Sequence, residues 1–229
     1  MLDLKFLGRG AAFYPVAGNT NAFFEADGDL FFLDFGESAF EKVYRMFDLK
    51  RYRHIYVLLT HLHADHAGSL ASLISYTHCM LKIHITVVHP LDTVVRLLAL
   101  QGISTSFYRY LPALETDCPV KAKPVEVPHA EDMRAFGYLV THAGETLYFS
   151  GDSAVFPEEV AKAYLEGKIA RIYHDTSSHE SSAHCCYQQL AQRIPKEKRA
   201  DVYCMHLDDD YAGMLREMGF SVVEAVQVP

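Results

Sequence analysis

The 229-residue sequence predicts a single α/β domain in which two β-sheets pack face to face and helices cover their outer faces. Strand-like and helix-like segments alternate through two similar halves, and each half opens with strands. No linker, internal repeat or low-complexity tract separates the halves. Half of the residues are hydrophobic and 22% are charged, which is typical of a folded globular protein. We therefore treat residues 1–229 as one domain.

The first half contains apolar segments bounded by turn residues, which are typical of strands, and segments of helical spacing. In the helix predicted from Ser38, the side chains of Phe40, Val43 and Phe47 fall on one face. Gly102–Pro119 is the least regular stretch. The predicted strands are Leu2–Leu7, Thr20–Ala26, Leu30–Asp34, His54–Leu59 and Ile83–Val88, and the predicted helices are Ser38–Leu49, Ser69–Cys79 and Leu91–Leu100.

The second half opens with three predicted strands, of which the last two form a hairpin around Ala143–Glu145. Helices and strands then alternate to the C-terminus. The predicted strands are Lys121–Val127, Phe136–Thr141, Thr146–Ser150, Ile169–His174, Ala200–Met205 and Val222–Ala225, and the predicted helices are Glu158–Leu165, His184–Arg193 and Tyr211–Met218.

Charge and cysteine content narrow the functional classes. The net charge of −8 disfavours general nucleic-acid binding, because that affinity comes from Lys and Arg side chains that neutralise phosphates. No apolar run reaches the ~18 residues of a membrane span, and the N-terminus lacks the pattern of a signal peptide. The five cysteines are an odd number without a paired framework. We therefore expect a cytoplasmic protein that makes no membrane contact.

The strongest functional signal is the segment Thr60–Gly68, which contains the metal-capable side chains of His61, His63, Asp65 and His66. It follows an apolar strand and precedes a helix. Because extended backbone alternates its side chains with period two, the two histidines at the strand end point to the same side. The Asp and the third His lie on the turn into the helix, so the segment can supply ligands to two adjacent metal ions. Such ligands suit Zn²⁺, and also Mn²⁺ or Fe.

This segment resembles the H-x-H-x-D-H signature of the metallo-β-lactamase superfamily. Weaker motifs follow the order found in the ribonuclease Z-like phosphodiesterase branch, along nearly the whole chain. They are Phe6–Ala12, Phe31–Glu37, Phe136–Tyr138, Ser150–Ser153, Ile172–Ser177, His184–Cys186 and Cys204–Leu207. The resemblance implies an αββα sandwich that holds two divalent metal ions, with Zn²⁺ the first choice.

The resemblance also implies which residues would bind the two ions. His142 is the alternative to His129, and Asp152 and His206 have the alternative of ordinary turn, cap or helix-start positions. The implied ligands are His61, His63 and His129 for the first ion, Asp65, His66 and His206 for the second, and Asp152 as a bridge between them.

Two residues have implied catalytic roles. Two bound ions lower the pKa of a shared water toward ~7, which makes hydroxide available to attack phosphorus. Asp65 would hold or accept the proton of that water, and His184 would protonate the leaving oxygen or contact the phosphate. His184 has the alternative of an exposed histidine at a helix start. His174 and Asp175 end a strand, where they would either orient ligands or pack in the core.

The substrate implied is a small or short nucleotide-type phosphodiester and not tRNA. Ribonuclease Z enzymes grip tRNA with a long arm, but Tyr138 and Gly151 are thirteen positions apart, which leaves room for a hairpin alone. The loop Tyr14–Asn21 contains no Lys or Arg. The segment Tyr108–Tyr110 would stack on a base and contact a phosphate, or else form a contact in a homodimer.

Other functions stay open at this point. The same metal site can attack a carbonyl, as in a hydrolase of esters, lactones or thioesters. A redox-active iron site, as in sulfur dioxygenases, is a second alternative, although seven candidate ligands argue against a single-iron site. A metal-binding protein without turnover is the third.

Overall fold

The computed structural model describes residues 2–227, which form two six-stranded sheets and the helices that cover them. The strands are β1 (Lys5–Gly8), β2 (Asn21–Ala26), β3 (Asp29–Leu33), β4 (Ile55–Leu58), β5 (Thr86–Val88), β6 (Arg109–Leu111), β7 (Lys121–Ala130), β8 (Met133–His142), β9 (Glu145–Phe149), β10 (Arg171–Asp175), β11 (Val202–Met205) and β12 (Ser221–Val222). The helices are α1 (Ala39–Met46), α2 (Ala64–Ala67), α3 (Leu70–Tyr76), α4 (Thr93–Leu100), α5 (Glu158–Leu165), α6 (Tyr187–Arg193) and α7 (Ala212–Glu217).

The two sheets repeat one strand plan. The first has the order β1-β2-β3-β4-β5-β6, and the second has the order β12-β11-β10-β9-β8-β7. In each half the opening three strands are antiparallel and the following strands are parallel. The prediction of two similar halves, each opening with strands, is confirmed.

Hydrophobic side chains fill three layers between and outside the sheets. In β3, which is buried throughout, Leu30 and Phe32 pack under the helices of the first half, and Phe31 faces the second sheet. Phe31 stacks between Phe24 and Tyr56, with ring centroids 4.9 and 4.8 Å away. A third cluster lies between the second sheet and α5–α7. The layer order is αββα, as the sequence predicted.

Three segments differ from the predicted elements. The strand β6 forms inside the stretch predicted to be irregular, because its three residues pair with β5 and not because of any alternation of their own. The hairpin of β7 and β8 is longer than predicted, so His129 lies within β7 and not beyond it. Helix α6 begins at Tyr187, and His184 belongs to the preceding loop, where its N–H donates to Oγ of Ser181.

Both sheets end their parallel strands at one edge of the sandwich. Binding sites in α/β proteins form outside the carboxyl ends of strands. Here β3 and β11 are each followed by a residue in the left-handed region, Asp34 at φ 65° and His206 at φ 56°. These turns direct both side chains to the edge where the candidate ligands meet. Within residues 2–227, no helix is long and apolar enough to cross a membrane.

Candidate metal centre

The structure brings all seven candidate ligands together at this edge. They form two groups, and within each group the candidate ligand atoms all lie within 4.8 Å of one another. Asp152 belongs to both groups. The first group is His61, His63, His129 and Asp152, and the second is Asp65, His66, Asp152 and His206.

The signature segment supplies ligands to both groups through a sharp change of backbone. His63 is extended, and Nε2 of His61 lies 3.0 Å from Nδ1 of His63. The chain then enters α2, a single turn that buries Asp65 and His66. Oδ2 of Asp65 lies 3.1 Å from Nε2 of His66. The segment therefore contributes two side chains to each group of candidate ligands.

His129 completes the first group from the second sheet. Its Nδ1 lies 2.8 Å from the carbonyl oxygen of Ala183, which makes Nδ1 the protonated nitrogen and leaves Nε2 free. That Nε2 lies 3.2 Å from Nδ1 of His63. His142, the alternative, is far along the hairpin and pairs with Asp27 at 2.9 Å. The geometry favours His129 for this position.

The buried carboxylate of Asp152 faces the two groups with different oxygens. Its Oδ1 lies 3.1 Å from Nε2 of His66 and 3.3 Å from Nε2 of His206. Its Oδ2 lies 3.8 Å from Nε2 of His61 and 3.6 Å from Nε2 of His129. One carboxylate therefore contacts both groups of candidate ligands.

The chemistry of the cluster fits divalent cations. Nε2 of His66 and Oδ1 of Asp152 are buried, and neither makes a hydrogen bond of good geometry although the two atoms lie 3.1 Å apart. Burial holds the pKa of His61 well below its usual range, so this imidazole is neutral. Burial raises the pKa of Asp152, but the attraction of His206 and His66 outweighs it and holds the pKa well below its usual range. Neutral imidazoles and ionised carboxylates are the forms that bind metal.

The number of carboxylates around His206 also favours the binding of a cation. Burial lowers the pKa of His206, but the neighbouring carboxylates of Asp152, Asp175 and Asp65 outweigh it and raise the pKa to about 10. The negative charge that would draw a proton into this buried place would equally draw a metal cation. The residues present therefore suit a divalent metal centre.

A buried carboxylate that the sequence analysis did not select supports the second group. Oδ2 of Asp34 lies 2.8 Å from Nδ1 of His66, and its Oδ1 accepts a hydrogen bond from the backbone N–H of Thr60. Asp34 is completely buried. A carboxylate behind a ligating imidazole fixes its tautomer and makes it more basic. The sequence signals were its place in the weak motif Phe31–Glu37 and its position at a strand end, which is also an ordinary place for a turn residue.

Asp175 connects His184 to the cluster. Its Oδ2 lies 2.7 Å from Nδ1 of His184, and its Oδ1 lies 3.4 Å from Nδ1 of His206. The backbone N–H of Ser153 also donates to Oδ2. His174 instead packs in the core, with its ring 5.1 Å from that of Phe156. Of the two residues that end β10, Asp175 orients site histidines and His174 does not.

A cavity of about 630 Å³ opens over the cluster, within the usual range for small-molecule sites. Phe13, Glu37, His179 and Asp208 line it together with five of the candidate ligands, and among residues 2–227 no Lys or Arg does. Those five are His63, Asp65, His129, Asp152 and His206. His179, which no sequence motif indicated, is therefore at the site.

The segment Tyr108–Tyr110 does not line this cavity. Tyr108 is buried, Arg109 pairs with Glu115, and the hydroxyl of Tyr110 donates to the carbonyl oxygen of His89. The predicted contact of this segment with a base and a phosphate is therefore wrong for this site.

Solved structures of other proteins share the fold. The metallo-β-lactamase fold protein YhfI from Bacillus subtilis has a TM-score of 0.75 at 13% identity, covering 99% of this chain and 97% of that one. Human tRNase Z, short form, has a TM-score of 0.69 at 18% identity, with 99% of both chains covered. A diphosphatase from the PhnP family has a TM-score of 0.74 at 17% identity, covering 99% of this chain and 96% of that one. The predicted metallo-β-lactamase fold is confirmed.

Comparison with other sequences shows the family to which the chain belongs. A protein of Paenibacillus harenae described as Anti-Pycsar protein Apyc1 is 24% identical, with 91% of this chain and 90% of that protein covered. A protein of Bacillus phage 010DV004 with the same description is 24% identical, with 94% and 95% covered. The family model described as Anti-Pycsar protein Apyc1 matches residues 2–227. Since that match takes in the whole sandwich and every candidate ligand, the chain belongs to the Anti-Pycsar protein Apyc1 family.

Proposed function

We propose that the chain is a metal-dependent phosphodiesterase that hydrolyses a small nucleotide-type phosphodiester, such as a cyclic nucleotide. The observation that carries this proposal is the carboxylate of Asp152, whose two oxygens face two separate groups of His and Asp side chains. His184 stands beside them on the cavity side. The names of two proteins of the same fold, a tRNase Z and a diphosphatase, also describe cleavage of bonds to phosphorus.

When bound, two divalent ions, Zn²⁺ foremost and Mn²⁺ or Fe as alternatives, would supply Lewis acidity and an ionised water near neutral pH. Asp65 would hold the proton of that water. Burial raises the pKa of Asp65, but the hydrogen bonds from His206 and His66 outweigh it and hold the pKa far below its usual range. Its carboxylate is therefore ionised and can accept a hydrogen bond from that water.

His184 would donate a proton to the leaving oxygen. Asp175 binds its Nδ1, which leaves Nε2 as the nitrogen available to the cavity. Burial lowers the pKa of His184, but the hydrogen bond and charge of Asp175 outweigh it and raise the pKa. An imidazole that keeps its proton near neutral pH suits a general acid for an alkoxide leaving group.

The surroundings of the cluster favour a short substrate over tRNA. No Lys or Arg side chain of residues 2–227 lines the cavity, whereas long nucleic acids need several to neutralise their phosphates. The strands β8 and β9 are joined by Ala143 and Gly144 alone, which leaves no arm at this position. A phosphodiester with one or two nucleosides fits a cavity of about 630 Å³.

A substrate panel tests the proposal. Zinc-loaded protein is assayed on bis-p-nitrophenyl phosphate, 3′,5′-cyclic AMP, p-nitrophenyl acetate and a p-nitrobenzoyl thioester, alongside elemental analysis. We expect hydrolysis of the two phosphodiesters, abolished in His63→Ala and retained in His54→Ala, a variant at an exposed histidine. Turnover of the ester or thioester alone would contradict the proposal, and bound metal without any turnover would indicate a binding protein.

A further inference from the structure

The ring of Phe13 stands almost free in solvent at the mouth of the cavity. Its exposure is 99%, the highest among the large hydrophobic side chains of residues 2–227. Val16, on the same loop, is 84% exposed but does not line the cavity. The ring therefore lies where a ligand bound in the cavity can cover it.

The loop that carries Phe13 is held firmly against the metal centre. The N–H of Ala11 donates to the carbonyl oxygen of Leu207, and the N–H of Leu207 donates to that of Arg9, both at 2.9 Å. Leu207 directly follows the candidate ligand His206. A Cβ at Gly10 would lie 2.5 Å from the carbonyl oxygen of Tyr14, so the loop is closely folded on itself. The backbone that carries Phe13 is therefore held close to the candidate ligands.

Phe13 is also the single Phe or Tyr among the described residues that line the cavity. Most imidazoles there are in the ligand groups or bound to Asp175, and Nδ1 of His179 lies 3.0 Å from Oδ2 of Asp208. Since no Lys or Arg of residues 2–227 lines the cavity, no guanidinium or ammonium group there can contact the nucleoside part of a substrate. An aromatic face can, because every base presents a π-face for stacking.

We propose that Phe13 is a stacking platform for the base of the nucleotide substrate, which makes it a binding residue of the proposed phosphodiesterase. This inference rests on the proposed function. The phosphodiester lies on the metal centre and the base lies against the Phe13 ring at the cavity mouth. The contact is the same in the ground state and the transition state, so it lowers KM and leaves kcat nearly unchanged.

The test compares Phe13→Ala, Phe13→Tyr and Val16→Ala in zinc-loaded protein. The substrates are 3′,5′-cyclic AMP and the corresponding cyclic ribose phosphate without a base. In Phe13→Ala we expect KM for cyclic AMP to rise roughly 5- to 150-fold, the range for loss of one base–aromatic stack. Phe13→Tyr restores KM, Val16→Ala leaves it unchanged, and none of the variants changes kcat/KM for the base-free compound.

Each other outcome overturns a distinct claim. Equal KM values for cyclic AMP in the wild type and Phe13→Ala would contradict stacking while leaving the phosphodiesterase intact. Failure of the wild type to hydrolyse any phosphodiester would contradict the proposed function, and stacking would fall with it. Loss of activity in both Phe13→Ala and Val16→Ala, with a change of mass in light scattering, would assign the loop to an interface between copies of the chain and overturn stacking.

Discussion

Nδ1 of His66 lies 2.8 Å from Oδ2 of Asp34, and both side chains are buried. The carboxylate fixes the imidazole so that Nε2 points toward Asp65 and Asp152. Asp34 itself belongs to neither group of candidate ligands. Its contribution is to hold a ligand in place and to strengthen its basicity.

Asp34→Asn should therefore weaken metal binding without unfolding the protein. Asn tolerates the φ of 65° at this position and can still accept from the N–H of Thr60. We expect zinc affinity to fall by about 10- to 100-fold. Competition with a chromogenic chelator measures it, with Asp117→Asn at an exposed position as the control. An unchanged affinity in Asp34→Asn would show that His66 needs no carboxylate behind it.

The local sequence predicted most of the candidate ligands but not the residues that hold them in position. His61, His63, Asp65 and His66 follow one strand, so the period of the strand and the turn after it were enough to predict their grouping. Asp34 acts on His66 only because β3 pairs in parallel with β4, a tertiary arrangement that no local pattern contains.

The strands at the sheet margins also depend on tertiary pairing that the local sequence does not predict. The strand β6 has three residues, and its conformation is set by pairing with β5. The pairing of β7 with β8 continues past a register shift after Val127, which is why His129 lies within a strand. Phe13 gave no periodic signal at all, because its position depends on a loop folded against Leu207.

Substitutions at two glycines test how closely the backbone packs beside the candidate ligand Asp65. A Cβ at Gly36 would lie 1.7 Å from the carbonyl oxygen of Asp65, so Gly36→Ala must displace that backbone. We expect a loss of about 3 kcal/mol or more in the free energy of unfolding, together with reduced zinc content. Gly213, exposed in α7, has nothing within 4 Å of the corresponding point.

Gly213→Ala should accordingly stabilise the protein by about 0.5–1 kcal/mol through higher helix propensity. Chemical denaturation of both variants gives the two values. A Gly36→Ala protein as stable as the wild type would mean that the backbone at Asp65 can shift without loss of unfolding free energy.

The number of bound ions should respond differently to two substitutions. The carboxylate of Asp152 faces both groups, whereas His63 belongs to the first group alone. We expect zinc per chain to fall from about two to near zero in Asp152→Ala and to about one in His63→Ala, because a missing ligand weakens only the ion that it binds. Elemental analysis after dialysis measures this. The same stoichiometry in both variants would contradict the bridging role.

Stability should fall in mild acid partly because of His89, which lies away from the metal groups. Burial lowers its pKa below the usual 6.5, and its Nδ1 is 2.8 Å from the carbonyl oxygen of Leu91. Below about pH 6.5 the unfolded chain binds a proton at this histidine that the folded chain does not, so stability declines as the pH decreases. The slope approaches about 1.4 kcal/mol per pH unit for one proton.

His89→Gln removes this titration. We expect the difference in unfolding free energy between the wild type and the variant to shrink as the pH falls from 7 to 5, measured by denaturation at each pH. His54→Gln, at a histidine whose side chain is 64% exposed, is the control. A difference that stays constant over this range would mean that His89 contributes nothing to the acid sensitivity.

The leaving group should decide how much His184 matters. The p-nitrophenolate anion leaves without a proton, whereas the ribose alkoxide of a cyclic nucleotide needs one. Because Asp175 holds Nδ1 of His184, we expect His184→Ala and Asp175→Asn each to reduce kcat for cyclic AMP by about 10²- to 10⁴-fold. Hydrolysis of bis-p-nitrophenyl phosphate should change little.

His179→Ala removes another imidazole that lines the same cavity but pairs with Asp208 instead of Asp175. It should spare kcat for both substrates if proton donation is specific to His184. Steady-state rates of all three variants on the two phosphodiesters, with zinc content checked in each, make the comparison. An equal loss on both substrates in His184→Ala would assign His184 to support of the metal ligands, since a structural defect does not distinguish one leaving group from another.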